Sequence, residues 1–211
     1  TAFSIVPAVN NGDAGYLYDQ VMFSYSRQPV LGVAPMLTNF DITRIMTSFK
    51  NNQGKAKVAA SLMLTLPGVP FIYYGEEIGM QGLIEGMGYD EVRRPMQWTG
   101  ENNSGFSNAV PWLAVGEDWE IFNVANETNS PTSILSHYRA LIQARNQHGA
   151  LRGGDLSLLD TGNNGLYSIL RVSQDEAVLV LINLTGQPIT DYQLALESSA
   201  LTEGNYTPLP V

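Results

Sequence analysis

The segment from residue 59 to residue 98 constrains the fold of this chain more than any other part. An apolar helix ends at a Pro-Gly pair and is followed at once by a short aromatic run, residues 69–74, that predicts a strand. After a glycine, two adjacent acids, Glu76 and Glu77, open a Gly-rich loop. A helix, a strand and an acidic loop in this order are typical of α/β enzymes, whose chemistry lies at the carboxyl ends of strands. The segment therefore predicts an enzyme-like α/β fold.

The composition is that of a folded globular protein and restricts its partners. The 211 residues are 44% hydrophobic and 15% charged, enough for one large domain or two small ones. The net charge of −9 argues against nucleic acid or an anionic membrane as partner, because both need patches rich in Lys and Arg. There is no cysteine, and no apolar run approaches the roughly 18 residues of a membrane span. The localisation stays open between a secreted or periplasmic and a cytoplasmic protein.

The first 153 residues alternate between predicted strands and helices. Residues 1–29 predict a surface segment with one helix, and the sequence begins without Met, which suggests a piece of a longer chain. Apolar runs at 30–38 and 69–74 predict two buried strands, and residues 55–66 predict the helix between them. A long irregular stretch follows, of the kind that lines a site, and a last helix is predicted after Ser130-Pro131.

After Gly153 the pattern changes to that of an antiparallel β domain. Short apolar or alternating runs, separated by turn residues, predict strands at 155–159, 166–172, 177–184 and 192–196. We place a domain boundary here, between residues 1–153 and 154–211. Two strands cannot complete the sheet of an α/β domain, and the β segment is too short for a full sandwich, so the chain needs more sheet from elsewhere.

Four segments carry a specific resemblance. The sequence contains LTNFDITRIM (37–46), LTLPGVPFIYYGEEIGM (64–80), DEVRRPMQW (90–98) and SILSHYRALIQARN (133–146). In this order they resemble the α-amylase family of glycoside hydrolases, in its oligosaccharide-acting α-glucosidase and α-amylase branch. The resemblance implies the C-terminal part of a (β/α)₈ TIM barrel, namely its last two β/α units, followed by a partial antiparallel β-sandwich domain.

The resemblance also implies a chemistry. The family cleaves or transfers α-linked glucosyl units with retention, using a carboxylate nucleophile and a carboxylic general acid. In the family these two groups lie on the fourth and fifth barrel strands, whereas this sequence matches only the part after the sixth. We therefore expect both to be absent from this chain and to come from the missing N-terminal barrel portion. The implied substrates are starch-derived oligosaccharides or related α-glucans. No cofactor is expected in this chain, and calcium, common in the family, would bind mainly in the missing part.

Asp41 is the candidate catalytic residue. It matches the family's third carboxylate, which holds sugar hydroxyls at the cleavage subsite and stabilises the oxocarbenium-like transition state. Without the resemblance, an Asp that caps the next helix explains this position equally well. Asn39 and Phe40 belong to the same motif and are candidate substrate-binding residues, but the family pattern here is Asn-His-Asp. Phe40 cannot donate the hydrogen bond that the His donates, which indicates a weak enzyme, a changed specificity, a non-catalytic relative or an engineered change.

Two arginines complete the candidate site. Arg44 matches an arginine of the Asp41 motif, and we interpret it as an orienting ion-pair partner beside the substrate. Arg93 matches an arginine near the cleavage subsite, and a solvated surface arginine is the alternative. Glu76 and Glu77 are adjacent, so their side chains point in different directions, and the resemblance assigns them to the support of the barrel mouth rather than to catalysis.

The remaining candidates are weaker. Aromatic side chains can stack on sugar rings, although loop packing explains any one of them as well; they are Trp98, Phe106, Trp112 and Trp119. His137 and His148 are interpreted as structural, and no metal site is predicted. Three functions stay open: a hydrolase or transglycosylase once joined to the missing strands, a non-catalytic relative with a carbohydrate-binding or scaffold role, and an inactive fragment that self-associates through exposed strand edges.

Overall fold

A computed structural model describes residues 2–83, 88–194 and 201 of the chain. Within these ranges single turns of 3₁₀ helix occur at Val30–Gly32, Glu76–Ile78, Gly88–Val92 and Asn102–Gly105. The longer elements, in chain order, are α1 (Ala2–Asn11), α2 (Gly15–Tyr25), α3 (Ile45–Ser48), α4 (Gln53–Thr65), α5 (Val124–Thr128), α6 (Ile134–Gln147), α7 (Gly149–Gly153), β1 (Asp155–Leu158), β2 (Leu166–Val172) and β3 (Ala177–Asn183). No helix in the described ranges has the length and apolar character that crossing a membrane requires.

The N-terminal region differs from the predicted surface segment with one helix. It forms two helices, and α1 buries Ile5, Ala8 and Val9 in the main core. The spacing of these three residues is that of one helical face. Pro7 lies inside α1 and counts against a helix on sequence grounds, because proline removes a backbone donor. Burial of the apolar face outweighs that loss.

Helix α4 is the centre of the core, as the predicted helix at 55–66 required. It begins after Asn52, whose Oδ1 accepts a hydrogen bond from the backbone N–H of Lys55 at 3.0 Å. Its apolar side chains are buried against α1, α6 and β3. It ends at Thr65, because Leu66 is already extended and Pro67 cannot continue a helix.

Two buried arginines satisfy the carbonyl groups at the C-terminal end of α4. Arg145, from α6, donates hydrogen bonds to the carbonyl oxygens of Leu64, Leu66 and Gly68, at 2.7, 2.9 and 2.6 Å. Arg171, from β2, donates to Thr65 O at 2.7 Å. The last carbonyl groups of a helix have no hydrogen-bond partner within it. Cationic side chains also interact favourably with the negative end of the helix dipole. The end of α4 is therefore fixed by side chains from two later elements.

The two predicted barrel strands are much shorter than expected. Met36 and Phe71 form an isolated parallel bridge, supported by hydrogen bonds from Val69 N to Val33 O (2.9 Å) and from Phe71 N to Pro35 O (2.8 Å). Residues 30–32 form a 3₁₀ turn instead of the start of a strand. The predictions of full strands at 30–38 and 69–74 are therefore wrong in extent. Parallel strands are regular where further strands flank them, and among the described residues this pair has no such neighbour.

The C-terminal sheet agrees with the predicted antiparallel arrangement. Its order is β1-β2-β3, with Leu156 opposite Arg171 and Tyr167 opposite Ile182. Of the predicted strand at 192–196, residues 192–194 are not in a strand, and residues 195–196 lie outside the described residues. The sheet begins just after Gly153, where we predict a boundary, yet its inner residues share one core cluster with α1, α2, α4 and α6.

Candidate active site

Asp41 lies in an exposed turn just beyond the parallel bridge. The Asn39 side chain shapes this turn, because its Oδ1 accepts a hydrogen bond from the backbone N–H of Asp41 at 2.7 Å. The Asp41 side chain is half exposed, so its carboxylate is accessible to a ligand. The side-chain oxygen of Asn39 is thus occupied by this hydrogen bond, which positions Asp41.

Arg93 brings the second predicted segment to the same turn. Its Nη2 lies 3.1 Å from Asp41 Oδ1, and its Nε donates to the Phe40 carbonyl oxygen at 3.1 Å. The guanidinium lies over the ring of Phe40, 5.4 Å from the centroid, and over the ring of Tyr89 at 4.8 Å. Because the Asp41–Arg93 pair is exposed, it adds little to stability. The pair does, however, bring three of the predicted site residues into contact, namely Phe40, Asp41 and Arg93.

Arg44 is placed differently from its prediction. It is fully buried, so it cannot contact a substrate here, and its Nε and Nη2 have no hydrogen-bond partner among the described residues. Its Nη1 donates to the Tyr74 carbonyl oxygen at 2.7 Å, and the guanidinium lies 4.9 and 4.7 Å from the ring centroids of Tyr73 and Tyr74. Burial lowers the pKa of Arg44. The predicted ion pair is replaced by aromatic contacts, because the two tyrosines cover the side chain.

Glu76 connects three elements behind the site. Its carboxylate accepts hydrogen bonds from Thr38 Oγ1 at 2.7 Å and from the hydroxyl of Tyr138, in α6, at 3.2 Å. The residue is 1% exposed, and burial raises its pKa to about 8. Burial also raises the pKa of Glu77. The buried Glu76 carboxyl thus supports the turn before Asp41. The role that the resemblance implies for the Glu76–Glu77 pair, support of the barrel mouth, stays a prediction.

We expect the variant Glu76→Gln to lose part of the pH dependence of folding. The Glu76 carboxyl ionises above about 4.5 in the unfolded chain and only near 8 in the folded protein, so the unfolded chain loses its proton first. Its contribution to stability is therefore complete below pH 4.5 and is lost as the pH rises to about 8. Glutamine is neutral throughout.

Denaturant unfolding at pH 5 and pH 8 measures this difference. The control is Glu117→Gln, which removes an exposed carboxylate elsewhere. We expect its free energy of unfolding to change with pH as that of the unchanged protein does. If the free energy of unfolding changed equally between pH 5 and pH 8 for Glu76→Gln and Glu117→Gln, the raised pKa of Glu76 would be contradicted.

An aromatic cavity of about 350 Å³ adjoins Arg93. Trp98 and Phe106 are about half exposed and Trp112 is 85% exposed, and all three line this cavity, whereas Trp119 does not. No binding role was predicted for the other residues that line it, which are Tyr74, Glu77, Arg94, Pro95 and Met96. The sequence feature that could have indicated Tyr74 as a binding residue is the pair of tyrosines that ends the 69–74 segment.

The two histidines have structural contacts. His137 Nε2 lies 2.9 Å from Ser61 Oγ and 3.1 Å from the Lys57 carbonyl oxygen. His148 Nδ1 lies 2.9 Å from Glu176 Oε2. Within the part of the chain that the structure describes, no group of three or more His, Cys, Asp or Glu side chains is arranged to hold a metal ion.

Comparison with known proteins identifies the family. The sequence profile of the α-amylase catalytic domain matches residues 17–154, well over half of the chain. The chain belongs to the α-amylase family. Its sequence is 31% identical over 196 residues to an oligo-1,6-glucosidase of Halalkalibacterium halodurans, in a match that covers 75% of this chain and 35% of that protein. It is 32% identical over 186 residues to a glucan 1,6-α-glucosidase of Streptococcus pneumoniae, covering 71% of this chain and 35% of the relative.

Solved structures of the family agree with this fold. An α-amylase from H. orenii superposes with a TM-score of 0.77 at 31% identity, covering 89% of this α-amylase-family chain and 38% of that one. The predicted α/β fold of the TIM-barrel type is thus confirmed at the level of the family, together with a small antiparallel sheet. The chain spans about a third of the length of the relatives it matches.

Proposed function

We propose that this α-amylase-family chain forms part of a retaining glycoside hydrolase or transglycosylase that cleaves α-glucosidic bonds in starch-derived oligosaccharides or related glucans. Asp41 binds the hydroxyls of the glucosyl ring at the cleavage point and stabilises the positive charge that develops there. Arg93 orients Asp41. The nucleophile and the general acid come from barrel strands that this chain does not contain, and any calcium ion binds in that other part.

The contact between Asp41 and Arg93 carries the proposal. The two residues lie 52 positions apart in the sequence, and their side chains meet at 3.1 Å in an exposed turn. An accessible carboxylate held by a single guanidinium keeps lone pairs for sugar hydroxyls. The names of the relatives, which include oligo-1,6-glucosidase and glucan 1,6-α-glucosidase, support α-glucosidic bonds as the target.

The rest of the barrel is the proposed structural partner of residues 30–83. Val69, Phe71 and Ile72 are 50, 59 and 38% exposed, although their segment pairs with residues 33–36 as a parallel strand would. Exposed apolar side chains on an incomplete parallel sheet are suited to burial against further strands. We propose that the preceding barrel strands cover them and that residues 1–153 are the C-terminal portion of the barrel, with its last two β/α units.

A binding role without catalysis is the second candidate, and Phe40 favours it. Phe40 is 55% exposed in the turn that also presents Asp41. An exposed phenyl ring can pack on a sugar but cannot donate the hydrogen bond of a histidine. A non-catalytic relative with a carbohydrate-binding or scaffold role would retain such a surface.

An activity assay of the intact protein separates the two candidates. Incubation with isomaltotriose and with maltotriose, followed by proton NMR, detects both cleavage and the configuration of the released glucose. The hydrolase proposal expects the α-anomer first. Binding of either trisaccharide without any cleavage would favour the non-catalytic role, and release of the β-anomer would contradict retention.

The variant Phe40→His tests the departure from the family pattern. A histidine at this position adds a hydrogen-bond donor beside Asp41, and we expect kcat/KM for isomaltotriose to rise by about tenfold, the usual worth of one such bond. Phe40→Leu is the matched control, since it removes the ring without adding a donor. An unchanged kcat/KM for Phe40→His would indicate that Phe40 serves a different specificity.

A further inference from the structure

We propose that Gln97 and Asp118 bind a sodium ion beside Gly116, at the point where the two ends of the loop of residues 98–115 meet. The inference goes beyond the proposed function and does not depend on it, because these residues lie outside the Asp41 turn. It gives the chain a cation site that the sequence analysis did not predict.

Two buried side-chain oxygens, Gln97 Oε1 and Asp118 Oδ1, have no hydrogen-bond donor in the part of the chain that the structure describes. Gln97 is 0% exposed, and its amide orientation is assigned by Nε2, which donates to the Phe122 carbonyl oxygen. The other carboxylate oxygen of Asp118, Oδ2, accepts from Gln81 Nε2 at 2.9 Å. A buried acceptor without a donor is costly, so both oxygens require a ligand.

The two oxygens approach one point beside Gly116. A Cβ built on Gly116 would lie 2.7 Å from Gln97 Oε1 and 2.8 Å from Asp118 Oδ1. Glycine therefore keeps this side of the pair open, whereas a larger residue would close it. Oxygens that share a neighbour at this range are near enough to bind one metal ion, because contacts between hard cations and protein oxygens are about 2.0–2.6 Å long.

The donor set favours a monovalent cation. Carboxylate and amide oxygens are ligands of hard cations, and this pair carries a single negative charge. Asp118 forms no salt bridge with any residue that the structure describes, and buried charges are paired or coordinate metals. Arg94 approaches the same loop, but its guanidinium is paired with Glu91 at 2.5 Å and donates to the Val115 carbonyl oxygen at 2.7 Å. A sodium ion neutralises the one carboxylate, whereas calcium sites usually contain several.

A cation at this place ties the two ends of the 98–115 loop together. Gln97 precedes the loop, and its carbonyl oxygen accepts from Val124 N at 3.0 Å. Gly116 follows the loop directly. Joining the ends lowers the conformational entropy that the loop would have if they were free. The loop contains Phe106 and Trp112, which line the aromatic cavity, so bound sodium would order one wall of that cavity.

Sodium NMR spectroscopy of the intact protein tests the site. Bound sodium exchanges with free sodium and broadens its resonance, and we expect Asp118→Asn to remove most of the broadening that the unchanged protein causes. The Nδ2 of asparagine can donate to Gln97 Oε1 directly, so the variant satisfies this oxygen without an ion. Glu117→Gln is the matched control, because it removes an exposed carboxylate at the neighbouring position.

Thermal unfolding of the same proteins gives a second measurement. We expect the Tm of the unchanged protein to rise by about 1–2 °C when sodium chloride replaces tetramethylammonium chloride at equal ionic strength, because the ion binds only the folded chain. The Tm of Asp118→Asn should be equal in the two salts. Gly116→Ala should also lose the dependence on sodium, since its Cβ closes the site.

The outcomes decide between sodium and other occupants. Equal broadening for Asp118→Asn and Glu117→Gln would overturn the site. A Tm of the unchanged protein that is equal in the two salts would show that a water molecule alone bridges the oxygens, which also overturns the inference. Displacement of sodium by calcium at low millimolar concentration would show a divalent site instead. None of these measurements involves glycoside cleavage, so their failure leaves the proposed function unaffected.

Discussion

Asp41→Asn in the intact protein is expected to lower kcat for α-glucoside hydrolysis by about 10²- to 10³-fold, the usual effect of removing one group that stabilises charge in the transition state. Asparagine keeps the size of the side chain and part of its hydrogen bonding to sugar hydroxyls, but it has no negative charge to oppose the oxocarbenium-like centre. KM should therefore change much less than kcat. Steady-state kinetics with isomaltotriose measure both constants.

Two further variants make the Asp41 result interpretable. Asp175→Asn removes the same charge at an exposed turn between β2 and β3 and is expected to leave kcat unchanged. Arg93→Met leaves the Asp41 carboxylate without its guanidinium partner, so a smaller loss of kcat is expected, because the charge remains but its orientation is free. A rise in KM alone for Asp41→Asn would show that Asp41 binds the ground state and the transition state equally.

Arg145→Met is expected to reduce the free energy of unfolding by about 3 kcal/mol or more, since each buried polar group left without a partner costs about 1–3 kcal/mol. Arg145 donates to the carbonyl oxygen of Leu64, in the last turn of α4, and to those of Leu66 and Gly68, which follow the helix. Methionine fills a similar volume but donates no hydrogen bond. For a protein of this size the loss corresponds to a fall in Tm of about 6–12 °C.

A matched control lies on the same helix. Arg139 is exposed in α6, and its Nη2 donates to Thr128 Oγ1 at 3.3 Å, so Arg139→Met removes a surface arginine of equal size. We expect it to change the free energy of unfolding by less than about 0.5 kcal/mol. Arg145→Lys replaces the planar guanidinium with a compact ammonium, and we expect its loss in free energy of unfolding to lie between those of Arg145→Met and Arg139→Met. Equal Tm values for Arg145→Met and Arg139→Met would contradict the assignment.

The helices of the core were predictable because their patterns are local. The apolar face of α4 repeats at helical spacing, and proline marks its end, so neither depends on distant residues. Helix α1 was not predicted: Pro7 lies inside it, and burial of its apolar face, which depends on distant residues, decides in its favour. The segments at 30–38 and 69–74 have the residues of strands, yet regular pairing also needs strands on either side, and no local pattern encodes whether those are present.

The candidate site was predictable only through the family resemblance. Composition and spacing left Asp41 equally suited to capping a helix, and nothing local connects it with Arg93, 52 positions later. Arg44 belongs to the same motif as Asp41, but its burial against Tyr73 and Tyr74 depends on how two segments pack. The sequence indicated three tryptophans and Phe106 only as separate candidates, and the folded loop shows which of them share the aromatic cavity.

The arginines at the end of α4 also bear on how the protein is made. During synthesis α4 leaves the ribosome long before Arg145 and Arg171, which follow their acceptor carbonyls by up to 81 and 106 positions. At a synthesis rate of about 5–20 residues per second, Arg171 is added about 5–20 s after Thr65, whose carbonyl oxygen it later binds. Until then the end of α4 depends on water or on a chaperone for hydrogen bonds. Translation pauses after residue 65 should therefore lower the yield of folded protein more than pauses after residue 171.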